Sequence, residues 1–175
     1  MLKENKLTRF EQIVLPHLDA AHNLARWLTR NDQDAEDLVQ DAYVRAFRFF
    51  DSFHGTDSRA WLLTIVRNTC YTWLQQKRSH ELTTPFDEEL HSLDSDAYNP
   101  EELLLRSANT QMLREALEEL PVEFREIVIL RELEGLSYKE ISTIIDIPLG
   151  TVMSRLARAR KRLEFCLTKR MSKEG

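Results

Sequence analysis

Cysteine is almost missing from this chain. Its 175 residues hold only Cys70 and Cys166, far apart and outside any Cys-x-x-Cys or Cys/His cluster. That excludes a disulfide framework and a structural zinc site, and both thiols read as small buried hydrophobes. Glycine and proline are scarce as well, at four and five residues. With so few turn-formers, no hairpin signal and abundant Leu, Ala, Glu and Arg, the composition predicts an all-α fold. No apolar run approaches the roughly 20 residues of a membrane span, and no charged start leads into an apolar stretch. The chain therefore reads as soluble and cytoplasmic, without membrane insertion, cofactor or metal.

What the sequence does have is charge, unevenly distributed. The formal net charge is -5, which would ordinarily argue against nucleic acid, but the mean hides segregation. Between positions 81 and 102 there are eight acidic side chains and no Lys or Arg. From Thr151 to Gly175 there are eight basic ones against Glu164 and Glu174, a net of +6. The acidic stretch also carries Pro85 and Pro100 and too little periodic apolar content to build a core, so it reads as a flexible linker. The sequence thus predicts two small helical domains, 1–80 and 109–175, joined by an acidic linker over 81–108.

Helical spacing places Ile13, Leu18, Ala21, Leu24, Ala25 and Leu28 on one face, with Pro16 marking a kink or a late start. A second helix is expected from Asp34 to about Phe50, burying Ala35, Leu38, Val39, Ala42, Ala46, Phe49 and Phe50 and presenting Asp37, Gln40, Asp41, Arg45 and Arg48. The polar stretch from Asp51 to Ser58, with Gly55 at its centre, reads as a loop. A third helix, Arg59 to Arg78, is expected to bury Leu62, Ile65, Val66, Thr69 and Trp73, leaving Thr64, Arg67, Asn68, Tyr71, Gln75 and Arg78 outward. Beyond the linker a helix resumes near Glu101–Glu119. Pro121 then opens another with Ile127, Val128, Leu130 and Leu133 as its core face.

The most informative stretch is SYKEISTIIDIPLGTVMSRLARARKRL, residues 137–163. Ser137 and Glu140 have capping-box spacing, so a short helix starts at 138 and buries Ile141, Ile144 and Ile145. Residues 146–150 interrupt it and a new helix is expected near Thr151, giving the span of a helix-turn-helix inside a four-helix domain. On the last helix Val152, Leu156, Ala159 and Leu163 share one face. Ser154, Ala157, Arg158 and Lys161 then point outward, flanked by Met153, Arg155, Arg160 and Arg162. Small or hydrogen-bonding residues suit base edges and the cations suit phosphates. An ordinary solvated basic face is the simpler alternative, but the capping box and turn in front of it favour a DNA-reading helix.

DAEDLVQD at 34–41, the loop from Phe53 to Trp61, WLLTIVRN at 61–68, Leu120-Pro121, GLSYKE at 135–140 and GTVMSR at 150–155 together resemble the bacterial extracytoplasmic-function (ECF) sigma factors. The likeness covers about residues 10–80 and 110–165. It implies that Asp37, Gln40, Asp41 and Arg45 dock on the clamp helices of the RNA polymerase β′ subunit, with the β flap as a further contact. It implies that Phe53, His54, Ser58, Trp61, Arg67, Asn68 and Tyr71 serve the minus-10 promoter element, where a base is held out of its stack. Phe53 and Trp61 can equally be core residues. It implies that Thr151, Met153, Ser154, Arg155, Ala157, Arg158, Lys161 and Arg162 read the minus-35 element. Met153 stands where relatives usually carry Lys or Arg, and Ala157 replaces a larger or polar side chain, so the target sequence does not carry over.

The resemblance also implies an anti-sigma partner and an acidic linker that threads the basic RNA-exit region of polymerase. The expected activity is promoter-specific transcription initiation without covalent chemistry. Two other readings fit the sequence less well. A DNA-binding regulator of response-regulator type would need a receiver domain, and residues 1–80 show no βα alternation. A His54-Asp57-Ser58 relay would need geometry that neighbours on one short loop rarely reach.

Overall fold

A proline inside an apolar helical pattern removes an amide donor and crowds the turn before it. In the computed structural model, which describes residues 2–83 and 108–174, the chain meets Pro16 with a break. Helix α1 (Leu2–Val14) ends, a 3₁₀ turn spans Leu15–His17, and α2 (Leu18–Thr29) begins. Arg30 closes α2 in the left-handed region at φ 60°. Asn31 then caps α3 (Asp32–Phe49), its side chain accepting the Asp34 amide at 2.9 Å. The helix thus starts two residues before the expected Asp34. A 3₁₀ turn over Phe50–Ser52 and a short loop lead to α4 (Ser58–Thr83). Asp57 caps it by accepting the Ala60 amide at 3.0 Å.

Helix α4 runs beyond the expected Arg78 and takes in positions 81–83 of the predicted linker. The remainder of that linker, 84–107, lies outside the described residues. The first half closes around Phe10, whose ring meets Tyr43, Phe47 and Phe50 edge-on at 4.9, 5.2 and 5.4 Å. Ala21, Leu24, Ala25 and Leu28 of α2 are buried, as are Ala35, Leu38, Val39, Ala42 and Ala46 of α3. The many alanines let these two helices approach closely. Phe49, expected in the core, is exposed. It is the last residue of α3, and the 3₁₀ turn that follows buries Phe50 instead.

The second half contains α5 (Ala108–Glu119), α6 (Val122–Val128) and a π turn over Ile129–Leu133, then α7 (Tyr138–Ile145) and α8 (Leu149–Glu174). The π turn rotates the end of its helix, so Leu133 is exposed rather than in the core, while Ile127, Val128 and Leu130 are buried as expected. Gly135, at φ 67°, makes the left-handed turn that leads to α7. Ile141, Ile144, Ile145, Val152, Leu156 and Ala159 are all buried.

Both helical halves are present, and they touch. Helix α2 lies against α6 and α4 lies against α7, so the buried side chains of the two halves join in one continuous cluster. Among the described residues there is no strand and no helix long and apolar enough to cross a membrane.

Candidate nucleic-acid interface

The helix-turn-helix is built from local hydrogen bonds that its sequence specifies. Ser137 Oγ accepts the Glu140 amide at 3.1 Å, and the Glu140 carboxylate accepts the Ser137 amide at 3.0 Å, so both arms of the capping box are made. Asp146 ends α7 in the left-handed region, φ 61°, with its amide donating to Ser142 O. The Ser142 hydroxyl reaches across the turn to Ile147 O at 2.5 Å. Pro148 O accepts the amides of Thr151 and Val152, so α8 begins at Leu149, two residues before the expected start.

From that start the periodicity of α8 falls as the sequence predicted. Val152, Leu156 and Ala159 face inward, while Met153, Ser154, Ala157, Arg158, Lys161 and Arg162 are exposed. Thr151 and Arg155 are half-buried. Arg155 differs from its neighbours because its charge bears on Glu126 in the interior. Arg160 is tied to Glu132 through Nε at 3.0 Å and Nη2 at 2.5 Å, and Arg170 to Glu115 and Glu119. Among the described residues no ion pair holds Arg158, Lys161 or Arg162, which leaves these three cations available to a polyanion.

The predicted polymerase-facing set lies along one exposed side of α3: Asp37, Gln40, Asp41 and Arg45 are all solvent-facing. The minus-10 set divides. Phe53 and Trp61 stack at 4.7 Å between centroids with a 32° tilt, each half-buried against the core. They are therefore core at one face and open at the other. Gly55 permits this, since a Cβ there would stand 3.2 Å from the Phe53 ring. His54 and Asn68 are exposed. Ser58 bonds His17 Nε2 at 3.0 Å, and Asp57 serves as the α4 cap. His54, Asp57 and Ser58 thus have separate tasks rather than one relay.

Arg67 and Tyr71 depart from expectation, because the second half covers part of the α4 face that was expected to look outward, leaving Asn68, Gln75 and Arg78 exposed. Arg67 donates from Nε and Nη2 to the two carboxylate oxygens of Glu126 at 3.0 and 3.2 Å, and its guanidinium lies 4.0 Å from the Tyr71 ring centre. Glu126 has no exposed surface. Burial raises its carboxyl above the ordinary range, and the Arg67 guanidinium opposes the rise. Burial followed by the Glu126 charge drives the Tyr71 phenol up.

Sequence reasoning missed the rest of this joint. Arg125, 4% exposed, donates to Trp27 O at 2.6 Å, Leu28 O at 3.3 Å and Leu120 O at 2.8 Å. One guanidinium thereby holds carbonyls at the end of α2 and of the turn after α5. Burial and Arg30 lower its pKa to about 10, so it stays charged at neutral pH. Asn23 donates to Glu134 at 2.7 Å. Arg59 donates to Glu134 O at 3.3 Å and approaches Glu140 at 3.7 Å. The signal was present in Arg125-Glu126, a charged pair set directly against the apolar run Ile127–Leu130.

Comparison with known proteins agrees with this arrangement. Residues 13–80 match the sigma-70 region 2 family model and residues 110–163 match sigma-70, region 4. The chain is 37% identical over 138 residues to the ECF RNA polymerase sigma-E factor of Escherichia coli K12, covering 75% of this chain and 72% of that protein. It is 34% identical over 163 residues to the ECF RNA polymerase sigma factor SigE of Mycolicibacterium smegmatis, spanning 93% of this chain and 63% of that longer protein. Among solved structures, the sigma factor RpoE from Bartonella quintana, crystallised with the anti-sigma factor NepR, superposes with a TM-score of 0.75 at 35% identity. That superposition covers 91% of this chain and 97% of RpoE.

Proposed function

Because the chain belongs to the extracytoplasmic-function RNA polymerase sigma factors, we propose that it binds core RNA polymerase and directs transcription initiation at one class of promoter. In this reading the exposed α3 row of Asp37, Gln40, Asp41 and Arg45 meets the β′ clamp helices. Charge complementarity there speeds and orients docking. Helix α8 enters the major groove of the minus-35 element, with Met153, Ser154 and Ala157 toward base edges and Arg158, Lys161 and Arg162 toward phosphates.

The Phe53–Trp61 stack, together with His54, Ser58, Arg67, Asn68 and Tyr71, receives the opened minus-10 strand. The open face of that stack is an aromatic surface on which a base can rest. The protein makes and breaks no covalent bond; it places the polymerase. Each contact alone is modest, and joining them through polymerase makes the second effectively intramolecular.

The observation that carries the reading is the division of α8. A capped helix-turn-helix buries Val152, Leu156 and Ala159 and leaves three cations without an ion pair among the described residues, beside small and apolar side chains on the opposite side. Met153 and Ala157 favour contact with thymine methyl groups over bidentate contact with guanine, which fits a distinct promoter preference. An anti-sigma partner of the kind that RpoE binds, acting in the cytoplasm, belongs to the same proposal.

Run-off transcription with purified core polymerase on a genomic promoter library tests it. Stimulated transcripts sharing a common minus-35 and minus-10 pair are expected. DNA binding that neither needs nor recruits polymerase would replace the reading with that of a simple regulator.

A further inference from the structure

We propose that the free chain is held shut by a charged latch, Glu126 against Arg67, which covers part of the minus-10 surface and must be released before promoter DNA can occupy it. The proposal concerns regulation of the surface described above, and its second step rests on the sigma-factor reading.

The latch joins the two halves through groups that cannot stand alone in the interior. Glu126 has no exposed surface, and its two oxygens are met in a forked arrangement by Arg67, which comes from the other half of the chain. A buried carboxylate without its partner is strongly unfavourable, whereas a pair that separates into water regains hydration on both sides. An ionic joint of this kind defines one closed arrangement and yet can release, which a purely apolar joint of the same area would resist. Arg125 adds to the closed form by bonding Trp27 O and Leu28 O from the first half and Leu120 O from the second. Arg59 reaches Glu134 O and Glu140.

The closed form hides some of the expected working surface and not the rest. Arg67 and Tyr71 are half-buried, with the Arg67 guanidinium held by Glu126, while Asp37, Gln40, Asp41, Arg45, His54 and Asn68 are exposed. First contact through α3 therefore needs no opening, but joint engagement of polymerase by both halves, and a full minus-10 contact, do. Arg67 is the point of exchange. Its guanidinium holds a carboxylate when the chain is closed and is free for a phosphate or a base edge when it is open, so nucleic acid and Glu126 compete for one cation.

Two measurements on the full-length chain test this, comparing wild type with Glu126→Gln, whose amide keeps the shape and loses the charge. Free wild type is expected to scatter X-rays as a closed particle, with a radius of gyration near the ~16 Å of a compact chain of this length. Glu126→Gln is expected to expand, because the half-buried Arg67 guanidinium would lose its counter-charge at the joint. Titration with core polymerase is then expected to give roughly tenfold tighter binding for the variant, because the closed population no longer subtracts from affinity.

Helix content by circular dichroism confirms that Glu126→Gln is folded. If it is not, Arg67→Gln, which breaks the same pair from a side chain 17% exposed in the native fold, takes its place with the same two expectations. A free wild type that is already extended overturns the latch, as does a folded variant that stays compact and binds polymerase with unchanged affinity. If the variant expands and neither chain binds core polymerase, the latch stands and the sigma-factor reading falls.

Discussion

His17 shows how a single side chain can take over a position that the sequence had assigned elsewhere. The family resemblance put Ser58 among DNA-facing residues, and in the structure its hydroxyl bonds His17 Nε2 from the turn between α1 and α2. Burial, and then the charge of Arg59, lower the His17 pKa below its ordinary 6.5. The folded state therefore binds this proton less readily than the unfolded chain. The associated stability is complete above about pH 6.5 and is lost as pH falls through that value toward the folded pKa. The thermal midpoint should drop between pH 7.5 and 5.5, and His17→Gln should reduce the drop; an equal drop in the variant would assign the sensitivity to another group. Cys70 offers a second residue-scale test. Burial pushes its thiol up to about 12, so brief alkylation at pH 8 should modify half-buried Cys166 and leave Cys70 intact. Modification of both at equal rates would mean that the first core opens readily.

At the scale of elements, local chemistry made the second half legible. Ser137-x-x-Glu140 predicted a cap whose two hydrogen bonds are both formed, and the apolar stripe of α8 predicted which residues face inward. Ser137→Ala should lower stability by about 1 kcal/mol, the usual effect of losing a cap, measured as a shifted urea midpoint at unchanged slope. Arg158→Ala and Lys161→Ala sit on exposed positions and should leave that midpoint in place. In the polymerase-bound state each should weaken promoter binding and reduce the magnitude of its salt slope by about 1, as expected for loss of one phosphate contact. A base-specific loss with an unchanged slope would move the residue from phosphate to base contact. Leu133 was misjudged because a π turn breaks the 100° period on which the stripe depends. The start of α8 was misplaced because Pro148, whose carbonyl supplies its first hydrogen bonds, looked like part of the interruption.

For the whole molecule, the sequence showed two helical halves but not that they touch. Periodicity separates the covered face of a helix from the wet one, and Arg67, Tyr71 and Glu126 carry polar groups that suit either. Burial by a partner from the other end of the chain leaves no local trace except charges set against an apolar run, as at Arg125-Glu126 before Ile127–Leu130. Arg125 tests whether the joint couples the halves. Its removal would leave buried carbonyls of Leu28 and Leu120 short of a donor, each at about 1–3 kcal/mol in an interior without water. Separation of the halves lets water reach those groups instead. The wild-type chain, with one continuous core, should then unfold in urea as one cooperative step. Arg125→Ala should unfold in two, tryptophans Trp27, Trp61 and Trp73 reporting the first half while circular dichroism follows all helices. Coincident transitions in the variant, at an unchanged slope, would show that the halves are joined by apolar contact alone and that Arg125 is not what binds them.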